Sequence, residues 1–162
     1  MSDDADTSSA RRSKVGASLR SQVLRMLARR EHSREELKRK LGGAETAPGE
    51  LDGLLDEFEK QGWLSEHRLA DQAVVLARGR YGSRRVLDQL RQKGVAGEPL
   101  ARAMDALKAQ ELESAQAVWR KRFGRPATDL SEKAKQARFL AARGFAPEAI
   151  QQVLKGMFEE SD

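Results

Sequence analysis

The sequence predicts an all-α protein made of three tandem three-helix, helix-turn-helix-like repeats. Three observations lead there. Apolar residues recur at i, i+3, i+4 and i+7 along most of the chain, the pattern of helices with one buried face. Aromatic residues are only 5% of the 162 and charged residues 34%, which suits helices of Leu, Ala, Arg and Glu better than strands. A helix-ending motif also returns at a spacing of roughly 45–50 residues, as stacked supersecondary units require.

The start, MSDDADTSSARRSKVG, is polar and has no apolar stretch like that of a secretory signal. Residues 1–17 are read as a disordered basic and polar arm. The first repeat, 18–64, opens with Leu19, Val23, Met26 and Leu27 at helical spacing. Ser33 and Glu36 form a capping box for a second helix with Leu37 and Leu41 inward. Gly42-Gly43 stops it. After Pro48-Gly49 a third helix carries Leu51, Leu54, Leu55 and Phe58 on one face and ends at Gly62.

The second repeat, 65–109, is capped by Ser65, with Leu69, Ala73, Val74, Leu76 and Ala77 inward. Ser83 opens its second helix (Val86, Leu87, Leu90), and Glu98-Pro99 its third (Leu100, Met104, Leu107). The third repeat, 110–162, reads Leu112, Ala115, Trp119 and Phe123; then Ala134, Ala137, Leu140 and Ala141 after Ser131; then Ile150, Val153, Leu154 and Met157 after Pro147, a residue suited to a first helical turn. Nine helices are predicted. Leu90 to Leu100 aligns with Leu140 to Ile150 as L-x-x-[KR]-G-(apolar)-A-x-E-x-(apolar), and Phe58 to Glu66 has the same outline. Each is a helix C-terminus with Gly just past its end, followed by a new start.

The chain has no cysteine, which excludes disulfides, iron–sulfur clusters and thiolate zinc. No apolar run approaches the ~18–20 residues that cross a bilayer, so a soluble, cytoplasmic protein is expected. The only two histidines, His32 and His67, lack partners at metal-binding spacing and are expected at surfaces or helix starts. Nucleotide loops and nucleophile elbows are absent. Most carboxylates fall near Lys or Arg on helix faces, as solvated pairs do. No enzyme, cofactor, metal or small-molecule substrate is expected.

The organised signal is basic. Of a net charge of +5, residues 65–110 hold nine Lys and Arg against five acids, while residues 1–64 balance at twelve each. A cationic cluster recurs where the first helix of each repeat meets the second. These are Arg29 and Arg30 with Arg34; Arg78, Arg80, Arg84 and Arg85 around Tyr81, followed by Arg91 and Lys93; and Arg120, Lys121 and Arg122 with Arg125. Arginines that follow a helix suit its C-terminus. Arg84 and Arg85 occupy a first turn, where cations are disfavoured by roughly 0.3–1 kcal/mol each; an anionic partner would offset this. Tyr81 suits either base stacking or packing between helices. Trp63 and Trp119 are expected in the core.

Helix-turn-helix reading of DNA needs a neutral or basic recognition helix, yet GELDGLLDEFEK carries five acids and the last helix ends in Glu159, Glu160 and Asp162. Contact with DNA would therefore use helix corners and the phosphate backbone, without reading sequence.

Two stretches, LARREHSREELKRKL and LLDEFEKQGWLSEHRLADQAVVLARGRYGSRRVLDQLRQKGV, resemble the bacterial RecX regulatory proteins. The likeness spans about Leu19 to Phe158 and is strongest from Arg29 to Gly94. Its specific elements are Arg29 to Leu37, the link Gly62 to Ala70, and Arg80-Tyr-Gly82 leading to Gly94. The link departs from the family's acidic pair and Phe-Ala, having Ser65-Glu66 and Leu69-Ala70. The resemblance implies an elongated, curved molecule that binds the groove of the RecA–DNA filament. It also implies restraint of filament growth, ATP hydrolysis, strand exchange and the co-protease role in the SOS response. The alternative is a general DNA-binding protein acting through phosphate contacts with single or double strands.

Overall fold

The computed structural model describes residues 19–159. The predicted arm of residues 1–17, the Met157 side chain, and Glu160 and Asp162 lie outside the described residues. Among the described residues there are eight helices and no strand: α1 (19–29), α2 (Arg34–Leu41), α3 (Glu50–Lys60), α4 (Glu66–Ala77), α5 (Ser83–Gln92), α6 (Gly97–Arg122), α7 (Leu130–Ala142) and α8 (Pro147–Glu159). No helix is long and apolar enough to cross a membrane. The chain divides into two compact units, 1–69 and 70–162.

The first unit follows its sequence closely. Leu19 and Val23 of α1, Leu37 and Leu41 of α2, and Leu51, Leu55 and Phe58 of α3 form one core with Leu64. Each such side chain contributes about 1.5–3 kcal/mol on burial. The predicted capping box is present: Glu36 N–H donates to Ser33 Oγ at 3.1 Å, and Ser33 N–H donates to Glu36 Oε1 at 3.2 Å. His32 lies at a helix start, one of the two expected places, but it is buried, its Nδ1 3.0 Å from the Arg30 carbonyl. One expectation is corrected. Trp63 is not core but 47% exposed, its ring tilted against Phe58 at 5.4 Å.

In the second unit α6 packs against α5, α7 and α8, and α7 against α8. Ala115, Val118, Trp119, Leu140, Phe145, Ile150, Val153 and Leu154 form a core cluster. Here the expectation of nine helices is corrected. The predicted third helix of repeat two and first helix of repeat three are one 26-residue helix, α6, about 39 Å long. No Gly or Pro interrupts Leu100 to Phe123, and the buried stripe runs unbroken through Ala103, Leu107, Gln110, Glu111, Ser114, Ala115, Val118 and Trp119. The polar residues in that stripe are hydrogen-bonded, so they keep it continuous: Gln110 Nε2 donates to the Val74 carbonyl at 3.0 Å. Met104 and Leu112, expected inward, lie off the stripe and are exposed.

Smaller corrections share this origin. On α4 the buried face is Leu69, Ala70, Val74 and Ala77, and Leu76 is 68% exposed, because apolar residues cover too much of the helix for periodicity to select one face. On α7, Ala134 and Ala141 are exposed, whereas Gln136 is buried with Leu140. Gln136 accepts the Trp119 indole N–H at 2.9 Å and donates to the Arg125 carbonyl at 3.2 Å. The cap of α7 is Asp129, accepting from Glu132 N–H at 2.8 Å. Ser65 does cap α4, accepting from Arg68 N–H at 3.2 Å.

The recurring motif is a recurring turn. Val95 and Phe145 N–H donate to Leu90 and Leu140 carbonyls, and Gly94 and Gly144 N–H to Arg91 and Ala141, with both glycines at positive φ. Trp63 and Gly62 repeat the pattern onto Phe58 and Glu59. This double closure is the Schellman ending.

Burial pushes the His32 imidazole below its ordinary value, near 6.5, so the unfolded chain takes up a proton that the folded chain refuses. Stability of the first unit is therefore expected to fall as pH drops through that value. The protection factors of α2 amides, which remove the intrinsic pH dependence of exchange, should fall between pH 7.5 and 5.5, and His32→Asn, which keeps a donor to the Arg30 carbonyl, should remove that component. An unchanged pH dependence in the variant would exclude His32 as its source.

Candidate cationic site

Several cations of the first unit are paired with its own acids. Arg34 pairs with Asp52 at 3.2 Å, Asp56 at 2.7 Å and Glu59 at 3.4 Å, and Arg30 pairs with Glu36 at 2.8 Å. Arg20 pairs with Glu57 and Lys38 with Asp52, each at 3.0 Å. Lys38 and Arg34 hold the Asp52 carboxyl below its usual range. Of the first predicted cluster, only Arg29 is exposed with no ion pair among the described residues. The acids of α3, which as a bare sequence would repel phosphate, are in part neutralised by α2.

The second unit is built differently. Chain leaves α4 through Arg78-Gly79-Arg80, with Gly79 at φ +71° and its N–H donating to Ser114 Oγ of α6 at 3.0 Å. Arg80 and Tyr81 N–H both donate to the Ala77 carbonyl at 2.9 Å. Ser83 opens α5 as expected, and its N-cap, Gly82, makes no side-chain cap. A Cβ at Gly82 would lie 2.3 Å from the Gly144 backbone, and one at Gly144 would lie 2.4 Å from Arg85 Cβ. Across this contact Gly82 N–H donates to the Arg143 carbonyl at 2.9 Å and Arg84 N–H to the Gly144 carbonyl at 3.0 Å.

Beneath the contact lies Glu111 of α6, only 8% exposed. One carboxylate oxygen accepts Ser83 N–H and the other accepts Ala146 N–H, both at 2.9 Å. One anion therefore serves the starts of α5 and α8, where unpaired amides and the helix dipole favour negative charge. Arg84 and Arg85 are exposed in the first turn of α5 and have no ion pair among the described residues.

Arg80, Lys121 and Arg122 meet at a concavity of about 270 Å³, floored by Val118 and Phe139 and joined by Arg143. No acid lines it. Aromatic rings hold the guanidinium groups near it. Arg122 lies over Phe139 at 5.4 Å, Arg143 over Phe139 at 5.2 Å and Tyr81 at 5.6 Å, and Arg85 over Tyr81 at 4.0 Å. Such contacts contribute roughly 0.5–1 kcal/mol each at exposed sites. Tyr81 is thus a half-buried support for arginines.

The remaining predicted residues are outside this lining. Arg78, Arg84, Arg91 and Arg120 are exposed and Lys93 is half-buried at the end of α5. Arg125 borders another hollow with Phe123, Thr128, Glu132 and Lys135. Two contributors escaped the sequence reading, Arg143 and Glu111. Arg143 occupies the [KR] position of the repeated L-x-x-[KR]-G motif, which was the available signal. Glu111 had none, since it looked like a solvated helix-face acid.

Fold and site define an all-helical repeat protein with a cationic surface on its second unit. Residues 109–154 match the family model "RecX, third three-helix domain". The Regulatory protein RecX of Leptothrix cholodnii is 41% identical over 90% of this chain and 92% of its own length. That of Ralstonia pickettii is 42% identical over 88% of this chain and 89% of its own length. The crystal structure of RecX from Lactobacillus salivarius shares the fold, with a TM-score of 0.76 at 13% identity, covering 91% of this chain and 99% of that one. The chain belongs to the RecX family of regulatory proteins.

Glu111→Gln places an NH₂ group against one of two amide donors. It should cost about 2 kcal/mol in urea unfolding of the intact chain; a loss under a few tenths would mean that Glu111 does not hold the two helix starts. Gly144→Ala should cost more than Gly62→Ala. Both glycines have positive φ, worth roughly 1–3 kcal/mol for another residue, but only Gly144 also meets a neighbour, since nothing lies within 4 Å of a Cβ at Gly62. Equal losses would show that the close approach relaxes freely.

Proposed function

We propose that this protein is a non-enzymatic negative regulator of the RecA recombinase that binds the groove of the RecA–DNA filament. There it restrains filament growth, ATP hydrolysis, strand exchange and SOS co-protease activity, working in the cytoplasm without a cofactor or membrane. The observation that carries this reading is the contrast between the two units. Arg80, Arg84, Arg85, Lys121, Arg122 and Arg143 have no ion pair among the described residues, whereas Arg30 and Arg34 do. A surface that its own acids leave positive favours an anionic partner, and a recombinase filament offers both carboxylates and phosphates. Membership of the RecX family supports RecA as that partner. The family-model match at 109–154 and the three repeated turns support division into repeats at 18–64, 65–109 and 110–162.

The concavity without acids also favours a second reading, a general DNA-binding protein that contacts single- or double-strand phosphates through Arg29, Arg78, Arg80, Arg84, Arg85, Arg91, Lys93 and Arg120 to Arg125. The two readings separate in an assay of RecA ATP hydrolysis on excess single-stranded DNA. The regulator inhibits at amounts far below RecA. Inhibition only when the protein suffices to coat the DNA, relieved by added DNA, means competition for phosphates. The variant R84E/R85E should weaken inhibition at least tenfold with an unchanged urea midpoint; full inhibition by it would remove these two arginines from the interface.

A further inference from the structure

We propose that the concavity bordered by Arg80, Lys121, Arg122 and Arg143 is a seat for a phosphate group. The inference rests on the reading that the cationic face of the second unit is the working surface, and it selects among that surface's possible anions. Four cations converge on about 270 Å³ with no acid in the lining. A single protein carboxylate brings one negative charge and two acceptor oxygens, leaving most of that positive charge uncompensated. A phosphate brings tetrahedrally disposed oxygens, and a strand or polyphosphate carries further charges a few ångströms away. Guanidinium forks match phosphate with paired hydrogen bonds, and a lysine adds a mobile point charge.

The site is also prepared for its ligand. Arg122 and Arg143 share the Phe139 ring, and Arg143 reaches Tyr81 as well. Side chains already held lose less freedom on binding. The Val118 and Phe139 floor is apolar, and a low-dielectric wall concentrates the field of the cations at the mouth. The hydrogen bonds from Gly79 to Ser114, and from Gly82 to Arg143, fix the backbone on two sides. The phosphate can belong to a nucleic-acid backbone or to a free polyphosphate.

The test uses the full chain without recombinase. Binding of a dye-labelled oligo-dT strand is followed by anisotropy at several NaCl concentrations, and binding of sodium tripolyphosphate by calorimetry. The variant R122Q/R143Q is compared with R102Q/K155Q, which removes two exposed cations outside the concavity, and with R122K/R143K, which keeps charge but not the forks. Loss of two phosphate contacts should make the slope of log affinity against log salt shallower by about 1.4 for a single strand. Affinity should fall about tenfold or more, while R102Q/K155Q stays near the parent.

Loss confined to the oligonucleotide assigns the seat to a strand, and loss of tripolyphosphate binding as well assigns it to phosphate from either source. R122K/R143K should keep most of the slope and lose affinity. An unchanged slope in R122Q/R143Q, or equal effects in R102Q/K155Q, overturns the seat. RecA ATP hydrolysis measured in parallel separates the two proposals. Inhibition lost with phosphate binding intact overturns the seat and leaves the regulator reading standing on carboxylates. Phosphate binding lost with inhibition intact keeps the seat and removes this concavity from the recombinase contact.

Discussion

The second unit is organised around Glu111, a buried carboxylate whose two oxygens each take the backbone amide at the start of a different helix. A helix start leaves several N–H groups without internal partners, and a buried one that stayed unpaired would cost about 1–3 kcal/mol. Both starts here fall next to the Gly82–Gly144 contact, where the backbones approach too closely for side chains to cap them. An acid from a third helix, α6, reaches both. The consequences run outward: α5 and α8 are held to α6, the turn at Gly144 is held to α5, and Arg84, Arg85 and Arg143 are carried on backbone that has little room to shift.

The two units use the same helix endings for opposite electrostatic results. In the first, Arg34 draws together three acids of α3, and Arg30 returns to the capping glutamate. These partly exposed pairs add modestly to stability, but they cancel the cations that a partner would otherwise meet. In the second unit the acid at the corresponding kind of corner is Glu111, and it faces backbone amides instead of arginines. The guanidinium groups are left to rings and solvent. Charge that looks periodic in the sequence is therefore positional rather than functional: the corner repeats, while its availability does not.

Much of the fold was legible because local rules and tertiary packing agree. The Ser33–Glu36 box, the stripe through Phe58 and the glycines at 62, 94 and 144 each specify a structure that neighbouring residues reinforce. The misreadings arise where a polar residue does apolar work. Gln110, Glu111 and Ser114 look like a break between two helices, yet each is buried by a hydrogen bond to a distant segment. No periodicity argument contains that information. The cationic site was half legible: Arg80, Lys121 and Arg122 stood out as clusters, whereas Arg143 stood alone and reached them only through the packing of α7 beside α6.

A chain with so few rings also places them in an unexpected way. Of eight aromatic residues, Phe58, Trp119 and Phe145 are buried in the two cores, where large side chains contribute most. Tyr81, Phe123 and Phe139 are only partly buried, and each lies within 6 Å of an arginine guanidinium. Phe123 and Phe139 pack against the core of the second unit, and all three rings also support arginines: a flexible cation laid on a ring keeps its charge and donors while losing much of its conformational freedom before a partner arrives. The scarce aromatic residues thus serve both the core and the charge, and one of them, Phe139, lines the concavity that four cations border.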